Sequence, residues 1–491
     1  MTKVFISKSL GIISNIPKVD IICLRDLKKT LFRMPFITPI GSAIHFNTMK
    51  KRYRNSIILL TVLNFIHCIC YEIVFHEIKI DPVALINEFA AVIDILSSEK
   101  APDNEDVHLN ITDLIVKYGY PVEQHHAKTD DDYILTMFRI PRSGPAVFLM
   151  HGMLLSSDDW VTNGPHNSLP YLLAMAGYDV WLGNARGNKH SRQHAKISPD
   201  TPEFWNFSWD EIGRYDLPTM IDYVLSTAKT ETLAYVGYSQ GTTNFFVMGS
   251  ERPEYNDKVS TMIALAPVAW SSHMKSPFAR MAAPLSYYAT IIIKMLQMYE
   301  ILPKPINYLY KNTPLCNIGN GIVCSTILFI LGGFDYEQIN QRNLPVIFGH
   351  MPSGASINQI THYLQNMMSG KFQKFDHGED KNVQLYGTRK PPSYAVDKIR
   401  TPVALFYGEN DWFSDVKDVK ILNKKLPNVV DLYHVPLAKC NHVDFLWAKD
   451  ATRLIYARVL ELLRFGNKTN GLSCFSETCK NVNGVDHHLD S

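Results

Sequence analysis

From about residue 112 the chain alternates short apolar runs with amphipathic stretches. Tyr133-Ile-Leu-Thr-Met-Phe-Arg-Ile140 alternates with the period of a strand and stops at Pro141. Ala146-Val-Phe-Leu-Met150 is a continuous apolar run opening into His151-Gly152, the pattern of a strand buried on both faces and its exit loop. Tyr178 to Leu182, ended by Gly183, predicts a further strand. From Tyr215 to Thr227 apolar residues recur at helical spacing (Leu217, Met220, Ile221, Val224, Leu225), with Asp216-Leu217-Pro218 as the expected start. Thr232 to Val236 reads as a strand, Gln240 to Met248 as a helix and Met262 to Leu265 as the next strand. This alternation predicts an α/β fold, a mostly parallel sheet flanked by helices and joined by right-handed crossovers.

The rhythm breaks near Trp270. Residues 271–395 are rich in Met, Tyr and Phe, contain the apolar run Ile322 to Leu331, and lack βα alternation. It resumes with a strand at Pro402 to Tyr407, a helix near Val416 to Lys425, a strand at Val429 to Val435 and a closing helix from about Asp450 to Phe465. Residues 106–270 and 396–466 therefore read as two parts of one α/β core, with 271–395 inserted between them. The polar stretch 467–491 reads as a loose tail.

With 491 residues, 46% hydrophobic and 20% charged, the chain can bury a large core. Its net charge of +2 conceals an asymmetry. Residues 1–54 hold eleven Lys or Arg against only Asp20 and Asp26, so the remainder is mildly acidic. An acidic body argues against a nucleic-acid partner, which requires a basic face to neutralise phosphates. Lys50-Lys-Arg-Tyr-Arg54 followed by the apolar run Ser56 to Cys70 has the layout of a secretory signal, directly after Met49. Residues 49–75 are thus expected to be a signal peptide and 1–48 a leader or gene-model extension. The run is interrupted by Asn64 and His67 and falls short of a membrane span, which disfavours a retained signal anchor.

Sequons at Asn110, Asn206 and Asn467 agree with secretion. Beyond the leader lie Cys316, Cys324, Cys440, Cys474 and Cys479, an odd number that leaves at least one thiol free or paired outside the chain. Cys316 and Cys324 are close enough in sequence to close one loop.

Gly237-Tyr-Ser-Gln-Gly241 fits Gly-x-Ser-x-Gly between a predicted strand and a predicted helix, the setting of a nucleophile elbow. Small residues two before and two after Ser239 let neighbouring chains pass, and the helix N-terminus lies beneath the developing oxyanion. An α/β-hydrolase orders its triad Ser, then Asp or Glu, then His. The strand ending at Tyr407 exits into Gly408-Glu-Asn-Asp411-Trp-Phe-Ser-Asp415, which offers Asp411 first, with Glu409 and Asp415 as neighbours; Asp415 also suits a helix cap. A base is expected in a loop near the C-terminus, and Cys440-Asn-His442 lies between a strand and the last helix. The oxyanion hole needs the Gln240 N–H and a second main-chain donor, assigned to Met153 in the loop His151-Gly-Met153.

These residues resemble the acid lipase family that includes the gastric and lysosomal lipases. Matching stretches are Gly119-Tyr-Pro121, Met150 to Ser157, Leu182-Gly-Asn-Ala-Arg-Gly-Asn188, Phe204 to Gly213, Tyr215-Asp-Leu-Pro218, Gly237 to Gly241, Gly333-Phe-Asp335 and Asn441-His442, over about residues 106–466. The resemblance selects His442 as base and Asp411 as acid. It implies hydrolysis of triacylglycerols or cholesteryl esters by an acyl-enzyme route with no metal or cofactor, and transient contact with a lipid surface. It also implies a cap with a mobile lid at 271–395 and a cap disulfide between Cys316 and Cys324, at altered spacing. Four positions depart from the family: Met153 stands for a usual Leu, Asp132 for a turn Gly, Gly332 for a free Cys found in some members, and Cys440 for an aromatic. A secreted or lysosomal enzyme follows. The readings of another kind are a catalytically silent lipid carrier on the same fold, disfavoured by an intact Ser, Asp and His, and an esterase of smaller lipid esters.

Overall fold

The computed structural model describes residues 104–286, 298–301 and 322–466. The leader, the signal segment, Cys316, the Cys324 side chain, Asn467 and the tail lie outside the described residues.

Among the described residues, nine of the eleven strands form one sheet. In chain order the strands are β1 Glu123–Lys128, β2 Tyr133–Ile140, β3 Ala146–Met150, β4 Asp179–Gly183, β5 Gln193–His194, β6 Leu233–Tyr238, β7 Val259–Leu265, β8 Glu300–Ile301, β9 Ala355–Ser356, β10 Val403–Tyr407 and β11 Val429–His434. The large sheet runs β1-β2-β4-β3-β6-β7-β10-β11, with β5 paired to β2, and β8 pairs with β9 separately. Pairs β1–β2, β2–β4 and β2–β5 are antiparallel; from β4 to β11 every pair is parallel. The fold is thus the α/β one expected, with an antiparallel margin.

The period-two alternation of the parallel strands divides the core. Val147, Leu149, Val180, Leu182, Val236, Ile263 and Phe406 face one way, into a core shared with helices α1 Ile111–Lys117 and α2 Leu169–Met175. Phe148, Trp181, Tyr235, Met262 and Leu405 face the other way, against α3 Leu217–Ala228 and α4 Gln240–Glu251. Each large side chain fully buried this way contributes about 1.5–3 kcal/mol, and the same alternation fixes the register, since a one-residue slip would exchange the two cores.

The helical run before β6 begins earlier than expected. It starts at Trp209, passes a π-turn at Ile212–Asp216 and continues into α3, so Asp216 lies inside it rather than at its cap. Ser208 starts the run through a reciprocal cap with Glu211. Asp132 adopts φ +70°, the left-handed conformation that a Gly would take at no steric cost.

The described segment between β7 and β10 holds the helices Pro277–Ala282, α5 Ile322–Gly332, α6 Leu344–His350, α7 Ile357–Ser369 and α8 Glu379–Tyr386. Helix α9 Val416–Lys425 follows β10, and α10 Ala457–Gly466 closes the described chain. Among the described residues no helix is long and apolar enough to cross a membrane.

Candidate active site

Strand β6 ends at Tyr238 and α4 begins at Gln240, leaving Ser239 alone in the turn at φ 52°, ψ −116°. A non-glycine residue in that region is strained, and the surrounding contacts must enforce it. Ser239 N–H donates to Leu265 O at 3.0 Å, and Ser239 O accepts from Thr242 N–H at 2.9 Å. A Cβ on Gly241 would stand 2.2 Å from Met150 O, and one on Gly237 2.8 Å from the Gly241 carbonyl carbon. Glycine is therefore required on both sides of the turn.

The loops after β10 and β11 meet this turn at the carboxyl edge of the parallel strands, where open α/β sheets hold their sites. Asp411 is fully buried, and its Oδ1 accepts from Phe413 N–H at 2.9 Å and Ser414 N–H at 2.7 Å. His442 Nδ1 lies 3.0 and 2.9 Å from the two Asp411 oxygens, and its Nε2 lies 2.8 Å from Ser239 Oγ. With a carboxylate holding Nδ1–H, Nε2 is the lone-pair nitrogen that accepts from the serine hydroxyl. Tyr238 Oη donates to His442 O at 2.9 Å and fixes the backbone of the loop that carries His442.

The two neighbouring carboxylates are engaged elsewhere. Asp415 caps α9, accepting from Lys417 N–H at 2.8 Å, and pairs with Lys275 at 2.9 Å. Glu409 is exposed and faces His434 at 3.5 Å.

The loop after β3 lies against the Ser239 turn; a Cβ on Gly152 would be 3.1 Å from Ser239 Cβ. His151 braces this loop. Its Nδ1–H donates to Gly152 O at 2.7 Å, while Nε2 accepts from Ala185 N–H and Asn188 Nδ2, both at 3.1 Å. Leu154 takes φ +63°, and its carbonyl accepts from Ser353 N–H at 2.7 Å. Among the described residues the main-chain N–H groups of Met153 and Gln240 donate to no acceptor.

Three residues of this neighbourhood carry no signal in spacing or periodicity. Gln359, on α7, accepts from Gln240 Nε2 at 2.6 Å. Asn441 Nδ2 donates to Gly333 O at 2.9 Å, while its Oδ1 accepts from the N–H groups of Val443 and Asp444. Asp335 is buried beside Asp444. Gly333, Asp335 and Asn441 fall in family-like stretches, which is where they could have been noticed; nothing in the sequence marks Gln359. Cys440 is a free, buried thiol directly before Asn441.

Of the sequon asparagines, Asn110 and Asn206 are exposed. Asn110 caps α1, its Oδ1 accepting from Asp113 N–H at 2.9 Å.

Residues 111–164 match the partial α/β-hydrolase lipase region, and residues 145–289 match the α/β-hydrolase fold. The chain is 45% identical over 356 residues to Lipase 3 of Drosophila melanogaster, covering 70% of this chain and 90% of the fly protein. It is 38% identical over 380 residues to the gastric triacylglycerol lipase of Rattus norvegicus (75% and 95%) and 37% over 398 residues to that of Homo sapiens (77% and 98%). A serine–histidine–aspartate contact at the edge of such a sheet, together with this depth of similarity, settles the relationship: the chain belongs to the α/β-hydrolase lipase family, the ester hydrolases that include the gastric triacylglycerol lipases.

Proposed function

We propose that Ser239, His442 and Asp411 form the catalytic triad of a lipase acting on neutral-lipid esters. The contact that carries this reading is the relay from Ser239 Oγ through His442 to buried Asp411, at 2.8 and 2.9 Å. Ser239 Oγ attacks the ester carbonyl carbon while His442 Nε2 takes its proton. The carbonyl oxygen becomes an alkoxide held by the N–H groups of Met153 and Gln240, at the N-terminus of α4. Collapse expels the alcohol, which leaves with the proton from His442, and an acyl-Ser239 remains. Water, deprotonated by the same imidazole, releases the fatty acid. Asp411 holds the tautomer and stabilises the imidazolium throughout.

The names of the relatives support a triacylglycerol substrate, and cholesteryl esters share the same ester chemistry. Residues 271–395 are read as a cap over the site, with exposed Phe278, Met298 and Ile330 as apolar contact for a lipid surface. The signal-like segment and exposed sequon residues Asn110 and Asn206 support a secreted or lysosomal glycoprotein. A panel of triacylglycerols, cholesteryl esters and short soluble esters tests this, run from acidic to mildly alkaline pH with wild type and Ser239→Ala. Undiminished hydrolysis by Ser239→Ala would remove the triad; turnover of short soluble esters alone would remove the lipid substrate. Binding of lipid without turnover by wild type would favour a carrier.

A further inference from the structure

The acid and base loops of the site do not meet only through Asp411 and His442. A third segment, Gly332–Asp335, lies between them. Gly332 O accepts both from Trp412 N–H of the acid loop and from His442 N–H of the base loop, each at 3.2 Å. Gly333 O accepts from Asn441 Nδ2 at 2.9 Å, and Phe334 O from Asn410 Nδ2 at 2.9 Å. The Phe334 ring packs edge-on against Trp412 at 5.3 Å. The fit leaves no slack: Gly333 has φ +112°, and a Cβ there would be 2.2 Å from Asn410 O. Upstream, Gly333 N–H closes onto Phe329 O at 2.9 Å, and Phe329 and Leu328 bury α5 in the core.

The segment ends at Asp335, a carboxyl 1% exposed with no ion-pair cation among the described residues. Both its oxygens are buried with no donor as partner among the described residues, and they face the Asp444 carboxyl, whose Oδ2 accepts from Asn441 N–H at 2.8 Å. Two carboxyls in contact and away from water cannot both ionise, so one keeps its proton and donates it to the other. Burial pushes both upward, and each raises the other further. The groups facing the pair are Asp411 on the acid loop, Lys439 and Cys440 on the base loop, Tyr238 at the end of β6, and Glu337 downstream.

We infer that Gly332–Asp335 is a positioning strap that sets the acid and base loops against each other, Asp335 holding the base loop through a proton shared with Asp444. The inference rests on the triad proposed above. Asp335 touches no reacting atom; it acts through Asp444, Asn441 and the backbone of His442. Loss of the shared proton at alkaline pH puts two carboxylates face to face and loosens the loop that carries the base.

The experiment compares wild type, Asp335→Ala, Asp335→Asn and Ser239→Ala on p-nitrophenyl butyrate, with kcat and KM followed across pH and folding checked by thermal melting. Misplacement of the base predicts that Asp335→Ala lowers kcat about 100-fold with KM changed by less than about twofold. Asp335→Asn, whose amide donates to Asp444 without titrating, is expected to restore most of kcat and to lack the alkaline fall expected of wild type. A folded Asp335→Ala enzyme with wild-type kcat would overturn the strap. So would an Asp335→Asn enzyme with the wild-type alkaline limb, a reading that stands even if Asp335→Ala does not fold. Hydrolysis surviving in Ser239→Ala would instead overturn the triad, and the strap with it; an inactive Ser239→Ala beside an undiminished Asp335→Ala overturns the strap alone.

Discussion

Gln240 Nε2 donates to Gln359 Oε1 at 2.6 Å, which ties the residue after Ser239 to helix α7 across 119 positions of sequence. Both side chains are buried, and Gln240 Oε1 has no partner among the described residues. Replacing Gln359 by Leu would leave the whole Gln240 amide unpaired, a cost of about 1–3 kcal/mol for a buried polar group. Relief requires Gln240 to move, and with it the N–H proposed to face the oxyanion. Gln359→Leu is therefore expected to lower kcat/KM on a soluble ester about tenfold, with a smaller fall in melting temperature than the core substitution argued last. An unchanged kcat/KM would show that the Gln240 side chain does not set its backbone.

His151 gives the loop proposed to carry the oxyanion donor Met153 a limit on the acid side. Burial lowers it from 6.5 to about 4, and its Nε2 accepts two N–H bonds that protonation would destroy. For a base depressed on folding, the unfolded chain takes up the proton first. The stability it contributes is complete above about 6.5, declines as pH falls and is gone below about 4, a total of about 3 kcal/mol. Wild type is expected to lose ester turnover and melting temperature together over that window. In His151→Gln the side-chain oxygen can accept in place of Nε2 and does not titrate, so its acid limb should lie at lower pH. Identical acid limbs in the two proteins would assign the loss to another group.

Cys440 stands two residues before His442, yet it is expected to be inert. It is fully buried, and burial together with the acidic groups of Asp444, Asp411 and Asp335 around it pushes its thiol well above the ordinary range. The thiolate, not the thiol, is the reactive form. Iodoacetamide at neutral pH should leave the Cys440 peptide unmodified in native protein and label it fully in denaturant, as read by mass spectrometry. Rapid native labelling with loss of activity would place this thiol at an accessible face of the site.

What the sequence made legible follows the range of the interaction involved. Tyr133–Ile140 and Ala146–Met150 appear as strands at the bounds their patterns predict, because alternation or an unbroken apolar run is itself the burial pattern. Strand β1, Glu-Gln-His-His-Ala-Lys, has no such pattern; it is an edge strand, largely open to water, held by its pairing to β2. The helical run starts at Trp209 and passes through Asp216 without a cap there, since the Asp216 carboxylate serves Arg186, 30 residues away, and not the local backbone. Ser239 could be singled out from five residues and their flanks. Asp335 and Gln359 matter only through partners brought close by the fold, and no local pattern announces such a contact.

Arg186 is the other buried charge whose removal has a foreseeable result. Its backbone N–H and Nε donate to the two Asp216 oxygens at 2.9 and 2.7 Å, and Nη1 and Nη2 hold Asp131 at 2.6 and 2.8 Å. The guanidinium also lies 4.0 Å over the Tyr133 ring. Arg186 and Asp216 are both buried, so Arg186→Met strands a carboxylate in the core, at a cost of about 3–5 kcal/mol. Burial already raises Asp216 from 3.8 to about 6, and loss of the guanidinium raises it further. For an acid raised on folding, the penalty is absent below the unfolded value of 3.8 and grows as pH rises through the folded one. The deficit of Arg186→Met should therefore be largest near neutrality and shrink on acidification, as measured by urea unfolding at several pH values. Adding Asp216→Asn should recover part of the neutral-pH loss. A deficit independent of pH, unchanged by Asp216→Asn, would mean that lost packing over Tyr133, and not the stranded charge, sets the cost.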